Sequence, residues 1–160
     1  MSAGAARPVG PEGAPAIAPD PATGLPRLPL ARLPTPLEGA PRLAAALGLR
    51  ALFVKREDLS GYALGGNKLR KLDYILADAL RAGADTLIGT AGAQSNFCRA
   101  LAAAAAKTGL GCRLHLRAQA RPPLQGNLLL DHLFGAQVTF TSRTDPWDPA
   151  IADELGGIAE

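Results

Sequence analysis

Gly65-Gly66-Asn67-Lys68-Leu69-Arg70-Lys71-Leu72 reads as a loose turn running straight into a helix. Two glycines and an asparagine supply the turn, and an apolar stripe starts at once behind them. Leu69, Leu72, Leu76 and Leu80, with Ala79 beside them, recur at helical spacing and predict a helix over about 67–81, stopped by Gly83. At about 100° per residue, Lys68 falls on the border of that stripe and Lys71 lies one turn on, on the same side. Free N–H groups and the macrodipole already make this helix end positive, and two adjacent cations repel. Both effects favour a neutral amine, as burial would. Lys68 is therefore a candidate Schiff-base nucleophile, beside a candidate anion site at the helix end. First-turn lysines are more often plain surface residues. Here, however, the chain has four lysines (Lys55, Lys68, Lys71, Lys107) against thirteen arginines, so a lysine pair three apart suggests that an amine is needed where guanidinium would not serve.

Downstream the pattern alternates. Strands are predicted at 85–90, 112–117 and 137–141, and helices at 95–107, 127–134 and 148–155. That order predicts an α/β fold with a mostly parallel sheet and flanking helices. The helix around 100–106 is nearly pure alanine, which points to close approach by a neighbouring element. Upstream, a short helix is expected at 41–47, a strand at 51–55, and a polar turn at Arg56-Glu57-Asp58-Leu59-Ser60-Gly61. Lys55-Arg56-Glu57-Asp58 reads as a surface charge cluster. Residues 1–36 hold nine of the fourteen prolines without periodicity, so residues 1–32 are expected to be a disordered leader.

Composition excludes several classes. A net charge of +3 with scattered basic residues is a poor match to a nucleic-acid surface. No apolar run reaches the ~18 residues of a membrane span, and no secretory signal pattern opens the chain. Cys98 and Cys112 form no metal pattern and read as reduced thiols of a cytoplasmic protein. His115 and His132 read as structural, and no metal site is expected.

Thr90-Ala91-Gly92-Ala93-Gln94-Ser95-Asn96 lies where a parallel strand ends and a helix begins, the region where open α/β sheets bind ligands. Ser95 or Asn96 could cap that helix, or the loop could hold a flat polar cofactor by one edge; the residues alone leave both open. Gly61 to Lys68 has the spacing of a P-loop but lacks its Gly-Lys-Ser/Thr, and no GxGxxG follows a strand.

Three motifs in order carry a resemblance: Lys55-Arg56-Glu57-Asp58-Leu59, Gly65 to Leu72, and Gln94-Ser95-Asn96. Together with Pro34-Thr35-Pro36-Leu37 and Gly126-Asn127-Leu128-Leu129-Leu130-Asp131, they resemble the 1-aminocyclopropane-1-carboxylate deaminase and D-cysteine desulfhydrase family. The likeness runs from about Leu28 to the C-terminus. It implies a three-layer, tryptophan-synthase-β-like fold (fold type II) and pyridoxal 5′-phosphate as cofactor. It also implies a deaminase or lyase acting on a small amino acid, and a homodimer in the full-length form. By the same resemblance Lys68 holds the cofactor as a Schiff base and later moves the substrate's proton. Asn67 and Lys71 bind the cofactor, Lys71 at its phosphate, and Asn96 bonds the ring 3′-oxygen. Ser95 assists catalysis, and Gln94, Ser95 and Asn96 contact substrate.

Two departures stand out. Phe97 occupies the place after Ser-Asn where the family commonly has histidine, and phenyl cannot relay a proton, so the reaction type stays open. The chain is also shorter than the family, reading as residues 33–160 of an N-terminal enzyme part with most of a small α/β subdomain at about 70–155, truncated inside a helix. A glycine-rich phosphate cradle and the partner of the pyridine nitrogen have no match. The faces of Leu43, Leu47 and Leu49, and of Leu69, Leu72 and Leu76, are then expected to lie exposed. A catalytically incomplete fragment and a non-covalent anion- or nucleotide-binding module are the alternatives.

Overall fold

The computed structural model describes residues 16–159. In chain order the elements are β1 (Ala18–Pro19), β2 (Pro26–Arg27), β3 (Leu37–Gly39), α1 (Pro41–Ala46), β4 (Phe53–Lys55), a 3-10 turn (Glu57–Leu59), α2 (Lys68–Arg81), β5 (Thr86–Gly92), α3 (Asn96–Thr108), β6 (Gly111–Arg117), α4 (Gly126–Leu133), β7 (Gln137–Thr141) and α5 (Ala150–Ala159). Strands β5, β6 and β7 form a parallel sheet in sequence order. On β6, Cys112, Leu114 and Leu116 are buried towards one face, where α3 packs on β5 and β6. The alternate residues Arg113 and His115 reach the other face and bond α5 there, Arg113 to the Ile158 carbonyl and His115 Nε2 to Glu154 Oε2 at 2.7 Å. Helices thus cover both faces, as the three-layer expectation requires.

The alanine helix does approach closely. A Cβ placed on Gly89 would come within 2.6 Å of Leu101 Cδ2, so a side chain at position 89 would force the Leu101 side chain to move as β5 lies under α3. Along α3, Ala100, Ala102, Ala104 and Ala105 are wholly buried between the sheet and α2. The opposing stripe of α2 is equally dry: Leu69, Leu72 and Leu76 are 0% exposed. Their expected exposure is therefore overturned. α2 closes against α3 and the β2 segment, and each buried leucine contributes roughly 1.5–3 kcal/mol. Leu43, Leu47 and Leu49 of the α1 region are exposed as expected, alongside Leu37, Phe53 and Val54 of the antiparallel β3–β4 ladder.

The leader expectation also needs correction. Residues 1–15 lie outside the described residues, but 16–32 are ordered against α2. β1 and β2 pair antiparallel, and Leu28, Leu30 and Ala31 join the core. The cause is Asp73, a fully buried carboxylate on the inner side of α2. Arg27 donates to its Oδ2 from Nε at 3.0 Å and Nη2 at 2.8 Å, and the backbone N–H groups of Leu30 and Ala31 donate to Oδ1. Four donors for one buried charge hold a proline-rich strip that has no periodicity of its own. Removing such a charge strands a cation and two amides, which typically costs about 3–5 kcal/mol. Asp73→Ala is accordingly expected to lose that much stability in urea unfolding and to make the 16–32 strip protease-sensitive, whereas Asp78→Ala, on an exposed position of the same helix, should do neither.

Candidate functional site

The N-termini of α2, α3 and α4 meet at one place. No side chain caps α2, whose first residue is Lys68. Ser95 caps α3, its Oγ accepting from Phe97 N at 3.1 Å and Cys98 N at 3.3 Å. The capping reading of Ser95 is therefore realised; its hydroxyl proton is still available as a donor. The glycine turn before Lys68 is held by the motif upstream of it. Gly66 N donates to the Glu57 carbonyl at 2.7 Å and to Ser60 Oγ at 3.0 Å. Gly65 has φ +67°, and a Cβ there would sit 2.1 Å from the Asp58 carbonyl oxygen, so only glycine fits.

Glu57 is more than part of a surface charge cluster. Arg70 of α2 donates to both its oxygens at 2.7 Å, and Thr35 Oγ1 donates at 2.7 Å. These bonds hold its carboxyl at about 2, well below the usual carboxylate range. Lys55 donates to the Thr35 carbonyl. Arg56, by contrast, pairs outward with Asp58 and Glu38, as a surface cluster would.

A cavity of about 270 Å³ opens between these elements, lined by Asp58, Leu64, Gly65, Gly66, Asn67, Lys68, Asn96 and Arg99. Lys68 and Asn67 thus come together with Asn96. Gln94 and Ser95 are outside its lining, and Gln94 is turned to α4: its Oε1 accepts from Asn127 N at 2.9 Å and its Nε2 donates to the Gln125 carbonyl at 3.1 Å. Lys71 is exposed, with its ammonium 4.0 Å over the centroid of the Phe97 ring. Phe97 itself is half-buried and packs on the core. A larger hollow of about 420 Å³ lies at α1 and β4, but alanine, leucine and Phe53 dominate it and Arg50 is its one charged side chain. Size therefore does not mark the chemistry. The donor set does: an amine, an amide and free helix-end N–H groups converge only in the smaller cavity among those described.

Arg99, which the motifs did not single out, is the hub. It is 8% exposed and donates from Nη1 to Asn96 Oδ1 at 3.0 Å and Asn127 Oδ1 at 2.9 Å, and from Nη2 to the Gly65 carbonyl at 3.1 Å. One sequence signal could have found it: a lone arginine inside an otherwise apolar helix, three residues after Asn96. Burial disfavours its charge, and nearby Asp131 opposes that effect. Asp131 is 0% exposed, its carboxylate has no hydrogen-bond partner among the described residues, and burial pushes it up to about 6. Burial also raises the Cys98 thiol, to about 11, so packing is its role. Among the described residues no group of histidine, cysteine or carboxylate side chains could hold a metal, and no helix is long and apolar enough to cross a membrane.

Comparison with known proteins gives the family. Residues 28–156 match the family described as "Pyridoxal-phosphate dependent enzyme". The chain belongs to that family. D-cysteine desulfhydrase of Klebsiella pneumoniae subsp. pneumoniae is 50% identical over 139 residues, covering 83% of this chain and 42% of the relative. The Salmonella paratyphi B protein of the same name is 48% identical over 130 residues, covering 78% and 39%. A solved structure described as an ACC deaminase homologue superposes with a TM-score of 0.74 at 35% identity, over 85% of this chain and 42% of that one. The chain thus spans about two fifths of the length of these relatives. Its parallel sheet with helices on both faces is the fold of that neighbour.

Asp131 makes the site's own stability pH-dependent. A carboxyl raised in the folded state stabilises most when protonated, so its contribution is full below its unfolded value of 3.8 and is lost as pH rises through about 6. Denaturant unfolding should therefore show stability falling between pH 4 and pH 7 by an amount that Asp131→Asn removes; an unchanged slope in the variant would show that another group is responsible.

Proposed function

We propose that this chain carries the cofactor-attachment half of a pyridoxal-phosphate-dependent deaminase or lyase acting on a small amino acid, with the chemistry of D-cysteine desulfhydrases or ACC deaminases. The observation that supports it most is the convergence of Lys68, Asn67 and Asn96 on one cavity behind a glycine turn that no other residue could form. The donor set fits the cofactor. An amine suits an aldehyde, an amide N–H suits a phenolate oxygen, and an uncapped helix end with a nearby ammonium suits a phosphate. When bound, the cofactor supplies an electron sink for the substrate's α-carbon.

In this reading Lys68 Nζ is the point of covalent attachment and afterwards the base that moves the α-proton. Asn96 donates to the ring oxygen. Asn67 and Lys71 attend the phosphate, and the Phe97 ring holds Lys71 near it by a cation–π contact. Ser95, capping with its lone pairs, keeps a hydroxyl proton for the substrate. Gln94 acts by shaping the loop. Phenyl at position 97 offers no proton relay, which favours simple elimination from a substrate such as D-cysteine over ring opening. Cys98 and Cys112, both free and buried, suit a reducing cytoplasmic setting.

A second reading is favoured by the uncovered side chains Leu37, Leu43, Leu47, Phe53 and Val54. On it the 160 residues complete their site only against a complementary part or in a homodimer. Purified residues 1–160 would then release no 2-oxo acid from small amino acids at saturating pyridoxal phosphate; steady turnover from a monodisperse monomer, lost in Lys68→Ala, would refute it.

Attachment itself is tested by borohydride reduction in the presence of pyridoxal phosphate and peptide mapping. Label is expected on Lys68 and is expected to vanish in Lys68→Arg, which keeps the charge but cannot condense. Label on Lys55, Lys71 or Lys107 instead would overturn the assignment.

A further inference from the structure

The hydrogen bonds around Arg99 decide more than packing. Asn96 Oδ1 accepts twice, from Arg99 Nη1 at 3.0 Å and from Asn127 Nδ2 at 3.0 Å. Asn127 Oδ1 accepts from the same Nη1 at 2.9 Å, and Asn127 Nδ2 also donates to the Gln94 carbonyl at 2.8 Å. The network is thus a chain with fixed polarity at each end. Guanidinium can only donate, and a backbone carbonyl can only accept. Turning the Asn127 amide over would set its oxygen against the Gln94 carbonyl and its nitrogen against Arg99. Turning the Asn96 amide over would set its nitrogen against two donors. Neither amide can flip without two like contacts, so both orientations are determined by chemistry.

The consequence falls on the cavity. Asn96 lines it with Lys68. Its carbonyl end is held from behind, and among the described residues no acceptor takes either proton of its Nδ2. We propose that Arg99 and Asn127 are positioning residues: they lock Asn96 so that it presents only N–H donors to the ligand, selecting a bound group with an oxyanion at that point. This rests on the cofactor reading above, in which that oxyanion is the ring oxygen of pyridoxal phosphate. A buried cation on Oδ1 also polarises the amide and strengthens Nδ2–H as a donor. The third arm of Arg99, on the Gly65 carbonyl at 3.1 Å, ties this donor to the turn that carries Lys68, so amine and amide keep their spacing.

Two measurements test the proposal. The first needs no ligand: side-chain amide hydrogen exchange by NMR on the free chain. Asn127, with both Nδ2 protons bonded, should be protected about tenfold or more relative to Asn96, whose two protons should exchange as in an exposed asparagine. Protected Asn96 protons, or unprotected Asn127 protons, would show that the amides are not held as described.

The second compares equilibrium binding of pyridoxal phosphate with that of its 3-deoxy analogue, which lacks the ring oxygen. A hydrogen bond to a charged acceptor predicts that the wild-type chain prefers the parent compound by roughly tenfold or more. Asn96→Ala should abolish the preference. Arg99→Lys, whose single ammonium cannot span three acceptors, and Asn127→Ala should each reduce it towards the Asn96→Ala value. A merely structural role would weaken both compounds alike and leave the ratio untouched. A wild-type ratio retained in folded Arg99→Lys or Asn127→Ala overturns the proposal. If the wild-type chain binds neither compound, cofactor binding by these residues alone is refuted, and amide exchange still decides whether the lock exists.

Discussion

A buried guanidinium holds this site together. Arg99 emerges from the middle of the molecule, 8% exposed, and its donors reach the turn before α2, the first residue of α3 and the start of α4. Taking such a charge out of water is costly, and the cost is offset only where several acceptors surround it. Those acceptors come from three segments that are distant in sequence. The fold must therefore bring three helix N-termini to one point before Nη1 and Nη2 of the cation are paired. Conversely, once they are paired, none of the three can drift without breaking a charge-assisted bond.

That convergence depends on close packing elsewhere. The alanine face of α3 and the missing side chain of Gly89 let helix and strand approach to a distance that Leu101 alone nearly fills. The leucine stripe of α2 then seals against α3, and Asp73 fastens the 16–32 strip over the remaining side. Small residues set how near the elements come, and charged residues set which segments are held there. The glycine turn at 65–66 combines both devices: Gly66 is pinned by the Glu57 carbonyl and Ser60 Oγ, and Gly65 is too crowded for any Cβ.

The contrast with the β3–β4 and α1 region is instructive. There Leu37, Leu43, Leu47, Leu49, Phe53 and Val54 are all exposed on neighbouring elements. Isolated exposed leucines are ordinary, but a run of large apolar side chains on one small ladder and its helix marks a surface that normally packs on something. The chain spans only about two fifths of its relatives' length, so a face of this kind agrees with the proposal that the site is completed from outside these residues.

Much was legible in the residues alone. Period-two and period-3.6 patterns are local properties, so the alternation from α2 to β7 and the grouping of Leu69, Leu72 and Leu76 on one helical face followed from spacing. The motif around Lys68 pointed to an amine at a helix start for the same reason. What covers a face is a different matter. The leucines of α2 were expected in water and are dry, because their partners lie on α3 and on a proline-rich strip with no periodicity to announce it. Asp73 orders that strip through four donors that no spacing rule could connect. The Glu57 segment looked like surface charge because Arg70 and Thr35, its partners, stand 13 and 22 residues away. A lone arginine in an apolar helix could flag Arg99, but the roles of Arg99 and Asn127 could not be read from sequence, since they lie in which atoms face which. Hydrogen-bond polarity belongs to a set of atoms gathered from separate segments, and only the tertiary structure gathers them.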